Sequence, residues 1–209
     1  MTLGGRLVAW FPTAMIVLNF IVLGYFVTSP SIWTALLLVA TLYLPPPIAF
    51  RIHDRFHPLK EGLTRLDAPD YSPWWAAHQF QLFYEAAPPL EYALRLVPGL
   101  YSMWLRLWGA RVGYGVYWTP RVEIVDRPLM LIGNRVIFGH KVECYAHVTR
   151  RRAGQMHLLV KKVRIGNDCF IGAGSRLGPG ATLSDGTILP ALSDVHINET
   201  VQAPGEPDT

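Results

Sequence analysis

Charge is scarce in this chain and missing altogether from two long stretches. Asp, Glu, Lys and Arg make up 16% of the 209 residues, and neither residues 7–27 nor residues 32–50 contain one. Uncharged runs of that length match membrane-spanning helices, and together they predict a transmembrane hairpin. The first run is too long for a secretory signal peptide. Its basic flank is Arg6 alone, and no small-residue cleavage site follows before the second run. The turn between the runs, "TSPS", has no Lys or Arg, whereas Arg51, Arg55 and Lys60 follow the second run. That asymmetry excludes the turn from the cytoplasmic side and predicts both termini there.

Other absences narrow the chemistry. No "GxGxxG" or "GxxxxGK" occurs, which excludes a Rossmann or P-loop nucleotide site. Cysteines number two, Cys144 and Cys169. They fall in the cytoplasmic part and read as reduced packing residues. The pI of about 9.2 comes from basic residues at the membrane exit and in "TRRRAGQMHLLVKK", with no recognition motif, so nucleic acid is excluded as a partner. Residues 71–110 are dense in Trp, Phe and Tyr and cut by Pro88-Pro89 and Pro98-Gly99, and no piece is long enough to span a bilayer. They predict short amphipathic helices in the headgroup region, with an ordinary buried core as the competing reading.

What the chain does have is "IGNDCFIGAGSRLGPGATLSDGTILPAL". Ile165, Ile171, Leu177, Leu183, Leu189 and Val195 recur every six residues, a period of neither helix nor flat strand. Small residues (Cys169, Ser175, Ala181, Thr187, Ser193) follow four positions later, and Gly166, Gly172 and Gly178 come directly after the first three aliphatics. The pattern fits a chain that turns by about 120° every six residues and closes a triangular coil in eighteen, with glycine supplying freedom at the turns. Ile132, Phe138 and Cys144 extend the grid backwards, and Val112 begins a degenerate first coil. Between Cys144 and Ile165 the grid slips, so residues 149–162 must leave the prism as a loop. The expected organisation is a helical hairpin over 1–52, a juxtamembrane linker with interfacial helices over 53–110, a prism of about four coils over 111–198, and a flexible tail over 199–209.

These hexads resemble the hexapeptide-repeat acyltransferases, and the preceding hairpin and tryptophan-rich linker resemble the membrane-embedded branch of that family. The resemblance implies a left-handed parallel β-helix. It also implies a homotrimer with sites at the subunit interfaces and acyl-coenzyme A (acetyl or longer) as donor, with no metal. Such chemistry needs a base for the acceptor's proton and a donor for the thioester oxyanion. His147, in "CYAHV" before the loop, stands where the family places its catalytic histidine. His140 and His157 are acceptor-site or auxiliary candidates. Glu143 and Asp126 are the carboxylates that could orient the base, and the sequence leaves the choice open. The "GAGS" segment, Gly172, Ala173, Gly174 and Ser175, offers a slot for the pantetheine arm. Lys161, Lys162, Arg164 and Arg176 are candidates for the nucleotide phosphates, and Arg150–Arg152 for anionic lipid.

The expected activity is acyl transfer to a hydroxyl or amine of an amphiphilic, small-molecule or lipid-linked acceptor, at the inner face of a bacterial cytoplasmic membrane. Two alternatives share the prism: a non-catalytic membrane scaffold, and a metalloenzyme of the γ-carbonic-anhydrase kind, for which His140, His147 and His157 lack the usual spacing.

Overall fold

The computed structural model describes residues 2–203. The chain divides into two compact units. One contains the chain through Leu59 together with Ala68–Ala86, and the other contains Lys60–Asp67 together with the described residues from Ala87 onward.

The first unit is helical: α1 (Leu3–Val8), α2 (Phe11–Thr28), α3 (Ile32–Tyr43), α4 (Pro45–Phe56) and α5 (Pro73–Ala86). Leu3–Thr28 forms one apolar stretch of 26 residues, long enough to cross a bilayer. The second expected span is not continuous. It breaks between α3 and α4 with a bend of 43°. Pro45, Pro46 and Pro47 have no N–H to donate back to the preceding turn, so they can begin a helix but cannot continue one. Ser31 starts α3 with a capping box, its Oγ accepting from Thr34 N–H while Thr34 Oγ1 accepts from Ser31 N–H. Thr41 Oγ1 donates to Asn19 Oδ1 at 3.1 Å, a polar link between α3 and α2. The aromatic helix α5 is not an interfacial element lying on its own. Trp74, Phe80 and Tyr84 are buried, Phe80 meets Phe11 edge-on at 4.8 Å, and the Tyr84 hydroxyl donates to Leu42 O at 2.8 Å.

The second unit is built on a three-sided parallel β-helix. Its first coil is β2 (Arg111–Val112), β3 (Tyr117–Trp118) and β4 (Glu123–Ile124); the second is β5 (Met130–Ile132), β6 (Ile137–Phe138) and β7 (Glu143–Cys144). The third is β10 (Val163–Ile165), β11 (Phe170–Ile171) and β12 (Arg176–Leu177); the fourth is β13 (Thr182–Leu183), β14 (Ile188–Leu189) and β15 (Asp194–Val195). A last strand, β16 (Thr200–Val201), pairs with β13. The prism therefore runs past the expected boundary at 198, and the tail from 204 lies outside the described residues.

Strands stack in register, Val112, Ile132, Ile165 and Leu183 along one face, Trp118, Phe138, Ile171 and Leu189 along the next, Ile124, Cys144, Leu177 and Val195 along the third. These are the six-spaced aliphatic positions, all buried. Where a glycine directly follows one of these positions, it serves a different purpose from the one expected. A Cβ on Gly133 would stand 2.7 Å from the Gly166 carbonyl carbon, so close approach of successive coils demands glycine there. Positive φ occurs two positions further on instead, at Arg135, Lys141, Asp168, Gly174, Gly180, Gly186, Leu192 and Asn198.

Two short helices, α6 (Pro89–Arg95) and α7 (Leu100–Leu107), close the first-coil end. Tyr101, Trp104, Leu105 and Trp108 are buried, Tyr101 packs edge-on to Trp118 at 5.0 Å, and Trp118 stacks on Phe138 at 4.4 Å. The Trp118 indole N–H donates to Ser102 Oγ at 2.8 Å. One face of these helices is buried core, while Leu96, Val97, Met103 and Leu107 stay exposed. Each aromatic withdrawn from water at the end of a repeat array contributes about 1.5–3 kcal/mol.

The segment expected as a loop over 149–162 is an ordered hairpin, β8 (His147–Arg152) and β9 (Gln155–Val160). Its two-residue tip, Ala153-Gly154, has both φ values positive, the geometry whose twist matches paired strands. A third strand, β1 (Gly62–Arg65), pairs antiparallel with β9.

Candidate active site

Each turn of the prism passes three corners, and the site gathers at the one that follows the third strand. In the first coil this corner is stretched. Asp126 begins a 3-10 turn, Arg127–Leu129, that fills the extra length between Ile124 and Ile132. One coil on, at the same corner, the chain runs Tyr145, Ala146, His147 and leaves the prism as β8. Stacking of the coils puts the buried Asp126 carboxylate against this turn. Asp126 Oδ2 accepts from Ala146 N–H at 2.7 Å and meets His147 Nδ1 at 2.8 Å. The Asp126 side chain is 5% exposed and that of His147 20%. An ionised aspartate has no proton to give, so Nδ1 carries the hydrogen and Nε2 is the basic nitrogen. A buried carboxylate also stabilises the imidazolium that forms when Nε2 takes a proton.

The other expected residues are distributed differently. Glu143 stands on β7, opposite Arg176 and Glu123, and it is Asp126 rather than Glu143 that meets His147. His140 is exposed at the second corner, where its carbonyl accepts from Gly174 N–H at 2.8 Å. His157 lies on β9 opposite Arg150 and Arg65, three positions and roughly 10 Å further along the hairpin than Val160, the partner of His147. The Nδ1 of His157 is buried without a partner among the described residues. Consequently His140, His147 and His157 do not converge, and no group of three potential ligands able to hold a metal occurs among the described residues.

The "GAGS" segment forms the second corner of the third coil, one-third of a turn from the corner of His147. The turn below His147 is instead Gly178, Pro179, Gly180 and Ala181. Ser175 is fully buried, and its hydroxyl donates to Pro190 O at 3.0 Å, so the side chain packs the corner and lines no slot. Among the expected phosphate ligands, Arg176 is held by Asp194 through two bonds of 2.6 Å. Arg164 donates to both oxygens of Glu61, at 3.0 and 3.2 Å, and the Lys162 N–H donates to the same carboxylate. Burial alone would raise the Glu61 carboxyl, but the Lys162 N–H and the Arg164 guanidinium outweigh it and hold the group below the usual range. Lys161 closes the base of the hairpin, its N–H donating to Ala146 O at 2.8 Å. Arg150, Arg151 and Arg152 are exposed on β8.

A cavity of about 420 Å³ opens at the His147 corner, lined by Tyr145, Val148, Pro179, His196 and Ile197 with the Arg176–Asp194 pair. Tyr145 and Val148 bracket His147 in the chain. This lining was missed from sequence, although counting corners from Ile124, Cys144, Leu177 and Val195 assigns Tyr145, Gly178 and His196 to one edge. Cys144, inside the prism, has its thiol pushed up to about 12 by burial, with the Glu143 charge adding to it, and so takes no part in nucleophilic chemistry.

No protein-family profile matches the chain, and no curated protein does. Solved structures do. A hexapeptide-repeat acetyltransferase of Vibrio cholerae is 18% identical, with a TM-score of 0.42 over 57% of this chain and 84% of its own. A maltose O-acetyltransferase of Clostridium difficile is 17% identical, with a TM-score of 0.38 over 58% and 81%. A galactoside acetyltransferase in complex with coenzyme A is 14% identical, with a TM-score of 0.40 over 78% and 88%.

Proposed function

We propose that this chain is a membrane-anchored acyltransferase that takes an acetyl or longer acyl group from acyl-coenzyme A and gives it to a hydroxyl or amine of an amphiphilic or membrane-associated acceptor. The observation that carries the reading is the Asp126–His147 pair at the base of the hairpin. The six-residue repeat and its resemblance to the hexapeptide-repeat acyltransferases supply the donor. His147 Nε2 removes the acceptor's proton as the acceptor's oxygen or nitrogen attacks the thioester carbonyl. The tetrahedral intermediate collapses with loss of the coenzyme A thiolate, which recovers that proton from the imidazolium to leave as the thiol. Asp126 holds the ring and offsets its transient charge.

The apolar stretch Leu3–Thr28, with side chains such as Phe20, Ile21 and Val27 exposed, supports anchoring in a bacterial cytoplasmic membrane with the prism on the cytoplasmic side. On the second face of the prism the outward positions are Tyr117, Ile137, Phe170 and Ile188, one above another and all exposed. That apolar column supports a homotrimer.

Thiol release from a panel of acyl-coenzyme A donors, with and without candidate acceptors, tests the activity. His147→Ala is expected to lower turnover by about two to four orders of magnitude with donor affinity little changed. Turnover retained in that variant refutes the base assignment. Native mass spectrometry from mild detergent is expected to give a trimer, and a monomer or dimer refutes the assembly.

A further inference from the structure

α7 is apolar on two sides. Tyr101, Trp104, Leu105 and the C-cap residue Trp108 form its buried side, against the first-coil end of the prism. Met103 and Leu107, one turn apart, are exposed on another side, and Leu96 and Val97 are exposed in the link that leads into the helix. A surface helix of a water-soluble domain sets polar residues opposite its buried stripe. Here the outer side offers one charged residue, Arg106, whose Nε and Nη2 donate to Val112 O and Gly113 O at 2.9 and 2.7 Å. The column of Tyr117, Ile137, Phe170 and Ile188, read above as a subunit contact, runs along a flank of the prism and shares no residue with this patch.

Exposed charge is sorted between the two ends of the prism. From Ala87 to Trp118, the capping helices and the first two strands, the exposed charged residues are Arg106 and Arg111, and the one carboxylate, Glu91, is buried. Further round the same coil, Arg121 and Glu123 offset one another. From Gly178 to Ala203, at the fourth-coil end, the chain has no Lys or Arg, and Asp185, Asp194 and Glu199 are exposed. Asp194 is paired with Arg176 of the coil before it. An apolar patch with arginines at one end of a body, and carboxylates at the other, suits an anionic lipid surface in a single orientation. The first-coil end is attracted to it and the fourth-coil end is repelled.

We propose that the cap formed by α6 and α7 docks on an anionic bilayer surface. Leu96, Val97, Met103 and Leu107 enter the headgroup layer, Arg106 and Arg111 stand among the lipid phosphates, and the fourth-coil end faces water. The buried-core and interfacial readings of this aromatic stretch then hold together, on different sides of one helix. The inference rests on the anchoring by Leu3–Thr28 proposed above, which supplies the bilayer, and it does not depend on acyl transfer.

Nitroxide accessibility tests it, on the full chain in nanodiscs of phosphatidylcholine and phosphatidylglycerol, with oxygen as the lipid-soluble relaxant and a nickel chelate as the aqueous one. Cys144 and Cys169 are buried, so a single introduced cysteine carries the label. Labels at Met103→Cys and Leu107→Cys are expected to meet oxygen and not nickel, as does a label at Phe20→Cys, an exposed position within Leu3–Thr28. A label at Thr200→Cys, exposed on the last strand, is expected to meet nickel. Arg111→Gln is expected to lower the ratio of lipid-facing to water-facing signal at Met103→Cys about fivefold, the weight of one arginine beside anionic lipid. In discs of phosphatidylcholine alone it should match the parent. Nickel access at Met103→Cys and Leu107→Cys, with Phe20→Cys in lipid, overturns the docking and leaves the anchor standing. Protection from both relaxants overturns it too, because a second copy or another protein then covers the patch. Nickel access at Phe20→Cys as well removes the anchor and the docking together.

Discussion

Replacing Asp126 tests the site more sharply than replacing the histidine, because a single oxygen does two jobs. Oδ2 accepts from both Ala146 N–H and His147 Nδ1. In Asp126→Asn the amide oxygen can occupy that position and keep both bonds, so the ring orientation and the tautomer survive and only the negative charge is lost. A charge-assisted hydrogen bond exceeds a neutral one by about 1–1.5 kcal/mol, which corresponds to roughly a tenfold loss of turnover. Asp126→Ala removes the acceptor itself. It leaves the buried Ala146 N–H unsatisfied, at a stability cost of about 1–3 kcal/mol, and releases the imidazole from its orientation. Turnover should then fall by about two to three orders of magnitude. Steady-state thiol release at saturating donor and acceptor, with thermal melts of each variant alongside, separates the two effects. The reasoning is refuted if Asp126→Asn falls as far as Asp126→Ala. It is refuted equally if both variants keep nearly the parent activity.

Leu192 is a non-glycine residue at φ 62° and 82% exposed, so Leu192→Gly relieves left-handed strain of about 1–2 kcal/mol against about 0.5–1 kcal/mol of unfolded-chain entropy. The expected net gain of about 0.5–1 kcal/mol appears as a higher Tm, and a lower Tm contradicts it. Glu61 has a carboxyl pKa below the ordinary value when folded, so its contribution is complete above the ordinary value and is lost as pH falls through the folded one. Glu61→Gln should therefore speed hydrogen exchange of the β1 and β9 amides at neutral pH and make little difference in acid. Equal exchange at neutral pH shows that the Arg164–Glu61 pair does not hold the strand.

The prism was legible because its core positions are chemically uniform. Aliphatic residues at 165, 171, 177, 183, 189 and 195 can be read without knowing what packs on them. The left-handed corners were not legible, because Arg135, Lys141, Asp168, Leu192 and Asn198 occupy conformations that only glycine advertises. Asp126 could not be chosen over Glu143 from spacing, since the stretched first-coil corner breaks the count that would have aligned it with His147. β1 left no trace either. "GLTR" is short and exposed, and its partner β9 lies almost a hundred positions away. The aromatic stretch over 71–110 was ambiguous for a compositional reason, since tryptophan and tyrosine suit a headgroup layer and a buried core equally well.

The placement of β1 has a consequence for how the chain can be divided. Lys60–Asp67 belongs to the unit of the prism, yet the segments on either side of it, ending at Leu59 and resuming at Ala68, belong to the helices. The polypeptide therefore crosses between the units three times, at 59–60, 67–68 and 86–87. One proteolytic cut at any of these junctions leaves the units joined by the other two, and any contiguous fragment that contains the whole of one unit also carries part of the other. A fragment beginning at Ala87 would carry β9 with one edge bare, a row of unpaired amides and carbonyls flanked by Leu158 and Val160, and would be prone to edge-to-edge aggregation. Grafting "EGLTR" ahead of such a fragment, through a flexible linker, is the minimum that restores both the missing strand and the carboxylate facing Arg164.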